Sequence, residues 1–287
     1  MHFVETKGIL SAKNGMNLYR GCTHGCIYCD SRSRCYHMDH DFTDIEVKQN
    51  AIELLEDALR RKRRPCMLST GSMTDPYIPP EQQLQHLRQA LELAYRYGCG
   101  FTLITKSDLV LRDIDLLQKI NRQTKCVVQM TLTTYDDVLC QKLEPRVSVT
   151  SRRFAALQAL RAAGIPTVVW LCPILPFIND DHQNIAGILD YCVQAKVRGI
   201  ICFGMGLTLR EGSREYFYAQ LDKLFPHLKK RYIQTYGDQY SIVSPRNQEL
   251  MQFFHQQCAA HGIMHDNRQI FTYLHTLDQE RDQLRLF

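Results

Sequence analysis

From residue 45 onward, apolar positions recur at helical spacing in stretches separated by short apolar or β-branched runs. Ile52, Leu55, Ala58 and Leu59 share one face of a helix, and Leu84, Leu87, Leu91 and Ala94 share one face of the next. Ile114, Leu117 and Ile120 mark a third helix. Phe154, Leu157 and Leu160 mark a fourth that runs to Ala163 and Gly164, where glycine can end it, and Ile185, Ile188, Leu189 and Cys192 mark a fifth. Between these lie runs short enough for buried parallel strands, at residues 66–70, 101–105, 126–133, 166–171 and 199–203, and a first strand runs into Cys22. Strands alternating with helices in this way form a parallel sheet covered by helices. A doubly wound open sheet and a partial barrel share that pattern, and periodicity does not separate them. After Gly212 the chain turns helical, over residues 216–228 and 248–260, around a connector at 236–245 that contains Tyr, Gly and Pro. No fixed repeat, low-complexity tract or Gly-Ser linker interrupts the chain, so the pattern describes one domain with a C-terminal cap.

Composition narrows the class only a little. Of 287 residues, 45% are hydrophobic and 23% charged, the balance of an ordinary globular protein. The first residues lack a signal-peptide core, and no stretch reaches the ~18 apolar residues of a membrane span, so a cytoplasmic protein with no membrane partner is expected. Of twelve cysteines, three fall in one eight-residue window and the others are scattered singly, which suits reduced thiols better than disulfides. A net charge of +5 permits a polyanionic partner without requiring one. The run Arg60-Arg61-Lys62-Arg63-Arg64 closes a predicted helix, where the helix dipole and solvent both favour cations.

The informative segment is Gly21-Cys22-Thr23-His24-Gly25-Cys26-Ile27-Tyr28-Cys29, with three thiols on a glycine-containing loop between a strand and a helix. Three thiolates on such a loop can converge on a 4Fe-4S cube, which offers four irons and so leaves one for another ligand. A zinc ion held by Cys22, Cys26 and Cys29, with Cys35, His24, His37 or His40 as fourth ligand, is the competing arrangement. The Cys-x3-Cys-x-aromatic-Cys pattern resembles the radical SAM superfamily. That resemblance implies a 4Fe-4S cluster whose fourth iron is chelated by S-adenosylmethionine. It further implies reductive cleavage of the sulfonium to methionine and a 5′-deoxyadenosyl radical, and a flavodoxin- or ferredoxin-like reducing electron donor.

A closer resemblance is carried by Asn17-Leu18-Tyr19-Arg20-Gly21-Cys22, Gly71-Ser72-Met73-Thr74-Asp75-Pro76-Tyr77, Ile104-Thr105-Lys106-Ser107 and Leu143-Glu144-Pro145-Arg146. It continues through Pro173-Ile174-Leu175-Pro176-Phe177-Ile178-Asn179-Asp180 and Gln283-Leu284-Arg285-Leu286-Phe287. These segments are similar to the branch related to spore photoproduct lyase. The likeness implies an α/β fold, a partial (β/α)6 TIM-type barrel with a C-terminal helical extension. The core would span 1–212 and include the cluster loop, and the extension would span 213–287. Strand C-terminal ends carry the site in barrels of this type. By the same resemblance Ser72, Thr74 and Asp75 hold the methionyl amine and Lys106 pairs with the methionyl carboxylate. Thr131 and Thr133, on the fourth strand, offer hydroxyls to that carboxylate or to the ribose, one of the two facing inward. Glu144 accepts from ribose hydroxyls and Arg146 clamps a carboxylate, both from a short polar turn after that strand. Tyr28 packs near adenine.

The pattern also departs from that branch. Spore photoproduct lyase relies on a cysteine after its second strand to return a hydrogen atom, and here that neighbourhood reads Ser72-Met73-Thr74. Cys66 lies at the start of the strand, pointing away from the catalytic end, so Cys35, Cys172 and Cys202 are the remaining candidates for a radical relay, with Cys172 at a strand end the best placed. No second cysteine cluster follows Cys35, which implies a single cluster. The lone Trp170 and the tyrosines form no base-stacking ladder that the sequence can show. The expectation is a radical enzyme acting on an unidentified substrate, with a nucleic-acid base as leading class. The alternative is a noncatalytic nucleic-acid-binding protein stabilised by zinc or a cluster.

Overall fold

The structure, a computed structural model, describes residues 1–277. The chain opens with β1 (His2–Val4), β2 (Gly15–Met16), β3 (Tyr19–Arg20) and β4 (Glu46–Lys48). β4 pairs with β1 in parallel and with β3 in antiparallel to give a small sheet. Beyond α1 (Ala51–Arg60) come β5 (Met67–Thr70), α2 (Glu81–Leu84), α3 (His86–Arg96), β6 (Gly100–Thr105) and α4 (Ile114–Gln123). There follow β7 (Cys126–Thr131), α5 (Asp137–Leu143), α6 (Thr150–Ala162), β8 (Thr167–Trp170), α7 (His182–Gln194) and β9 (Gly199–Ile201). The main sheet has six strands in the order β2-β5-β6-β7-β8-β9, every neighbouring pair parallel. Strand order equal to chain order, with a helical crossover at each step, is the topology of a partial TIM-type barrel.

The helix stripes read from the sequence are the buried ones. Leu55 and Leu59, Leu87 and Leu91, Leu117 and Ile120, Leu157 and Leu160, and Ile185 and Ile188 are all buried. They pack against Leu68, Phe101, Leu103, Val128, Met130, Val169 and Ile200 on the outer face of the sheet. Each such side chain contributes roughly 1.5–3 kcal/mol by leaving water.

Three expectations about local structure need correction. The strand leading into Cys22 is β3, which belongs to the small sheet; its Tyr19 stands opposite Val47 of β4, and the barrel's own first strand is the two-residue β2. The fourth barrel strand ends at Thr131 and does not continue to residue 133, because the Thr133 carbonyl accepts from the Asn179 and Asn184 side-chain amides in place of a neighbouring strand. The segment leading to Glu144 is a helix, α5, whose N-terminus is capped by Asp136 accepting from the Leu139 amide.

After β9 the chain forms β10 (Gly206–Thr208), α8 (Ser213–Leu224), α9 (Leu228–Tyr236), β11 (Ser241–Val243), α10 (Asn247–Ala260) and α11 (Asn267–His275). β11 returns to pair antiparallel with β10. Ile270 and Leu274 of α11 pack on Val127, Val168 and Ile201, the inward-facing positions of β7, β8 and β9. The last described helix thus covers the inner face of the sheet at β7, β8 and β9. The segment at residues 283–287 lies outside the described residues. Among the described residues, no helix is long and apolar enough to cross a membrane.

Candidate active site

Parallel strands deliver every loop after a strand to the same end of the sheet. Here those loops surround a cavity of about 590 Å³. The cluster loop, Ser72 and Asp75 after β5, Lys106 after β6, Thr131 at the end of β7, Cys172 after β8 and Phe203 after β9 all line it.

The cluster loop is held by its backbone. The Cys22 amide donates to the Phe42 carbonyl at 2.9 Å, the Ile27 amide to the Leu143 carbonyl at 3.0 Å, and the His24 carbonyl accepts from the Arg146 amide at 3.1 Å. Gly21 has φ +84°, and a Cβ there would stand 2.7 Å from the Phe42 carbonyl oxygen, so the tight entry into the loop requires glycine. Cys22 and Cys26 are buried, Cys29 is half-buried, and all three are unbridged thiols lining the cavity.

The donor set favours a polynuclear cluster over one ion. Among the described residues only His2, His40 and Asp44 bring three potential ligand atoms within 4.8 Å of one another. The thiols are therefore spread more widely than a single tetrahedral zinc, with bonds of roughly 2.0–2.3 Å, would need. Of the alternative fourth ligands, Cys35, His37 and His40 do not line the cavity that the three thiols share. His24 Nε2 lies 3.3 Å from Asp75 Oδ2, Cys35 receives a contact from Arg210, and His40 sits beside Glu46 and His2.

The residues expected to hold S-adenosylmethionine fall into two groups. Tyr28, Ser72, Asp75, Lys106 and Thr131 reach the cavity. Lys106 projects into it with, among the described residues, no hydrogen bond or ion pair to its ammonium. Burial pulls that ammonium down, but the surrounding Cys26 and Glu144 more than compensate and keep it protonated. Asp75 lines the cavity with both oxygens already used: Oδ1 accepts from the Tyr77 amide (2.9 Å) and the Thr105 hydroxyl (2.8 Å), and Oδ2 from the Lys106 amide (2.7 Å). Burial pushes its carboxyl up, yet His24 and these amides outweigh burial and hold it at about 2. Thr74, Thr133, Glu144 and Arg146 lie elsewhere. Thr74 lines a neighbouring cavity with Arg20, Glu46 and Lys48, and Arg146 lines another with Tyr77 and Ser107. Thr133 is buried beside Thr134. Glu144 is fully buried, accepting from the Tyr28 hydroxyl and the Arg153 guanidinium, with Cys140 and Thr133 at 3.5 Å. Burial raises the Glu144 carboxyl, and Arg153 and Lys106 reverse that and hold it low.

Sequence reasoning passed over Arg153, which is completely buried and donates to the carbonyls of Ser148 and Thr131 as well as to Glu144. Its signal was its register: Arg153, Leu157 and Leu160 lie at i, i+4 and i+7, one face of α6. It also passed over the wall opposite the cluster loop. Trp170 lines the cavity, its indole N–H donating to Gln129 Oε1 at 2.8 Å, while Gln129 Nε2 donates to the Thr102 hydroxyl oxygen at 2.8 Å. Phe203, 63% exposed, stands beside Trp170 at a ring-centroid distance of 6.1 Å, and Phe271 backs both. Gln129 was detectable as a polar residue in a largely apolar strand, in phase with Thr131. Asn247, which lines the same cavity from the start of α10, carried no local signal. Of the relay candidates, Cys172 lines the cavity, Cys202 is buried with its thiol 3.7 Å from Met251 Sδ, and Cys35 is exposed.

The sequence profile of the Radical SAM superfamily matches residues 16–189. An uncharacterized protein of Mycobacterium tuberculosis (strain ATCC 25618 / H37Rv) is 30% identical over 239 residues, covering 81% of this chain and 70% of its own. The radical SAM Nalpha-GlyT isomerase of Pseudomonas phage M6 is 27% identical over 168 residues, 57% of this chain and 34% of that protein. Among solved structures, a spore photoproduct lyase mutant with bound AdoMet and dinucleoside spore photoproduct superposes with a TM-score of 0.61 at 14% identity, covering 88% of this chain and 75% of that one. At that identity the likeness speaks for the fold.

Proposed function

The chain belongs to the radical SAM superfamily, and from that premise we propose that it carries one 4Fe-4S cluster on Cys22, Cys26 and Cys29 and abstracts hydrogen from a flat unsaturated substrate, with a nucleic-acid base as leading class. The observation that carries this reading is the convergence of three unbridged thiols and the Lys106 ammonium on one cavity at the C-terminal end of the parallel strands. When bound, the cluster and S-adenosylmethionine supply one-electron cleavage of the sulfonium and a 5′-deoxyadenosyl radical.

The chain's own residues bind, orient and exclude water. Lys106 is the cation for the methionyl carboxylate, a compact charge suited to that task. Ser72 and Thr131 offer hydroxyls, and the Tyr28 ring gives a flat face for adenine, its orientation set by the bond to Glu144. Asp75, with its acceptors filled from within the chain, acts as a positioning residue that joins the loop after β5 to the Lys106 backbone. Glu144 and Arg153 act as a second positioning pair beneath Tyr28. Thr74, Thr133 and Arg146 support these loops from outside the cavity. Cys172 is the candidate hydrogen-atom relay.

The aromatic wall of Trp170 and Phe203 supports a planar substrate, since stacking on such rings is worth ~1–3 kcal/mol per base. The dinucleoside bound by the lyase of like fold points in the same direction. Residues 1–212 hold all six barrel strands and form the core in this reading, and 213–287 form the extension, from which β11 and α10 reach back to the cavity.

The test is anaerobic. The protein is reconstituted with iron and sulfide, reduced, mixed with S-adenosylmethionine and assayed for 5′-deoxyadenosine beside a Cys29→Ala control. Product from the intact triad alone is expected. A protein that takes up zinc in place of iron and yields no product would overturn the reading.

A further inference from the structure

A second constellation lies on the outside of the small sheet. His2 on β1, His40 and Asp44 each place one ligand atom within 4.8 Å of the other two. His2 Nδ1 is 2.8 Å from Asp44 Oδ2, and the His2 and His40 rings meet edge to face at 4.8 Å between centroids. One His40 nitrogen, Nδ1, is 3.0 Å from the Asp41 carbonyl, an arrangement that places its proton on Nδ1 and leaves the Nε2 lone pair free. That Nε2 is buried, makes no hydrogen bond, and has Glu46 Oε2 at 3.6 Å. Glu46 is the register partner of His2 across the β1–β4 ladder, and its carboxylate stands next to His40 while lying outside the group of three atoms.

We propose that His2, His40, Asp44 and Glu46 form a binding site for a zinc-like divalent cation, separate from the cysteine triad. Two imidazoles and two carboxylates suit a borderline first-row metal better than magnesium or calcium, which prefer all-oxygen shells. Bonds of roughly 2.0–2.2 Å put tetrahedral ligands about 3.3 Å apart, so the 3.6 Å pair closes slightly and the 2.8 Å pair opens slightly.

The site has a structural consequence. His40 and Asp44 flank Phe42, whose carbonyl accepts from the Cys22 amide and whose ring carries the Arg32 guanidinium at 4.4 Å. A cation there braces the end of the loop that carries the cluster cysteines against β1 and β4.

The experiment uses protein with its cluster already reconstituted, so that the triad thiols are occupied, and titrates cobalt(II) as a spectroscopic probe for zinc. One equivalent bound with ligand-field bands and no thiolate charge-transfer band is expected. That signal should be lost in His40→Ala and in Asp44→Asn, with cluster absorbance unchanged in both. Zinc should displace the cobalt and raise the unfolding midpoint of the wild type but not of His40→Ala. Cobalt bands carrying thiolate charge transfer, bands that persist in both variants, or no saturable binding by the wild type would each overturn the proposal. None of these outcomes depends on radical activity.

Discussion

At the scale of single residues, the groups about the cavity divide into those left unengaged by the chain and those that hold other groups still. Lys106 belongs to the first kind, since it lines the cavity with its ammonium unengaged among the described residues. Lys106→Met should weaken S-adenosylmethionine binding at least about tenfold, the equivalent of ~1.4 kcal/mol, while leaving iron content and the unfolding midpoint near wild type. Equilibrium dialysis with the reconstituted protein measures it. Asp75 belongs to the second kind, and its charge is linked to folding. Its carboxyl is depressed from 3.8 to about 2, so the stability it contributes is fully present above 3.8 and is lost as pH falls through about 2. A depression of that size is worth about 2 kcal/mol at neutral pH. Asp75→Asn should remove that acid-dependent part, so that denaturant unfolding followed from neutral pH to about pH 3 shows a smaller loss of stability than the wild type. An unchanged acid slope would assign the acid sensitivity to other carboxylates.

At the scale of elements, the site depends on pieces distant in the chain. Gly71 ends β5 with φ +96°, and a Cβ there would stand 2.2 Å from the Ile104 carbonyl oxygen, so the close approach of β5 to β6 beneath Ser72 and Lys106 exists only with glycine. On the other side of the barrel, α11 supplies Ile270 and Leu274 to the inner face and Phe271 to the back of the aromatic wall. Ile270→Ala should cost ~2–5 kcal/mol by deleting fully buried atoms from a packed interior. Because Trp170 is the lone tryptophan, its fluorescence reports the adjoining wall directly, and a red shift should accompany that loss in stability. A stability loss with unchanged emission would separate α11 from the wall.

At the scale of the whole molecule, direction organises everything: six parallel strands send all loops with candidate chemistry to one end. The basic run at the end of α1 lies at the other end, because α1 leads into the start of β5. Neutralising Arg63 and Arg64 should therefore leave production of 5′-deoxyadenosine unchanged while reducing any salt-dependent, sequence-independent binding of polyanions, a split that activity and filter binding at two salt concentrations would reveal. The sequence alone determined the cysteine triad, the helix stripes and the alternation of strand and helix, because each is encoded by neighbours within about four residues of one another. That Lys106 and Tyr28 reach the cavity was legible for a related reason, as each sits in a short motif at a strand end or inside the cluster loop. Tertiary structure alone decided that β3 belongs to the small sheet, that Asp75 and Glu144 spend their oxygens inside the protein, and that Arg153 is a buried partner. It alone joined Trp170, Phe203 and Asn247 around one cavity, with Phe271 behind the two rings. Those outcomes depend on which groups far apart in sequence reach hydrogen-bonding or stacking distance, and a one-dimensional pattern records spacing along the chain without recording contact across it.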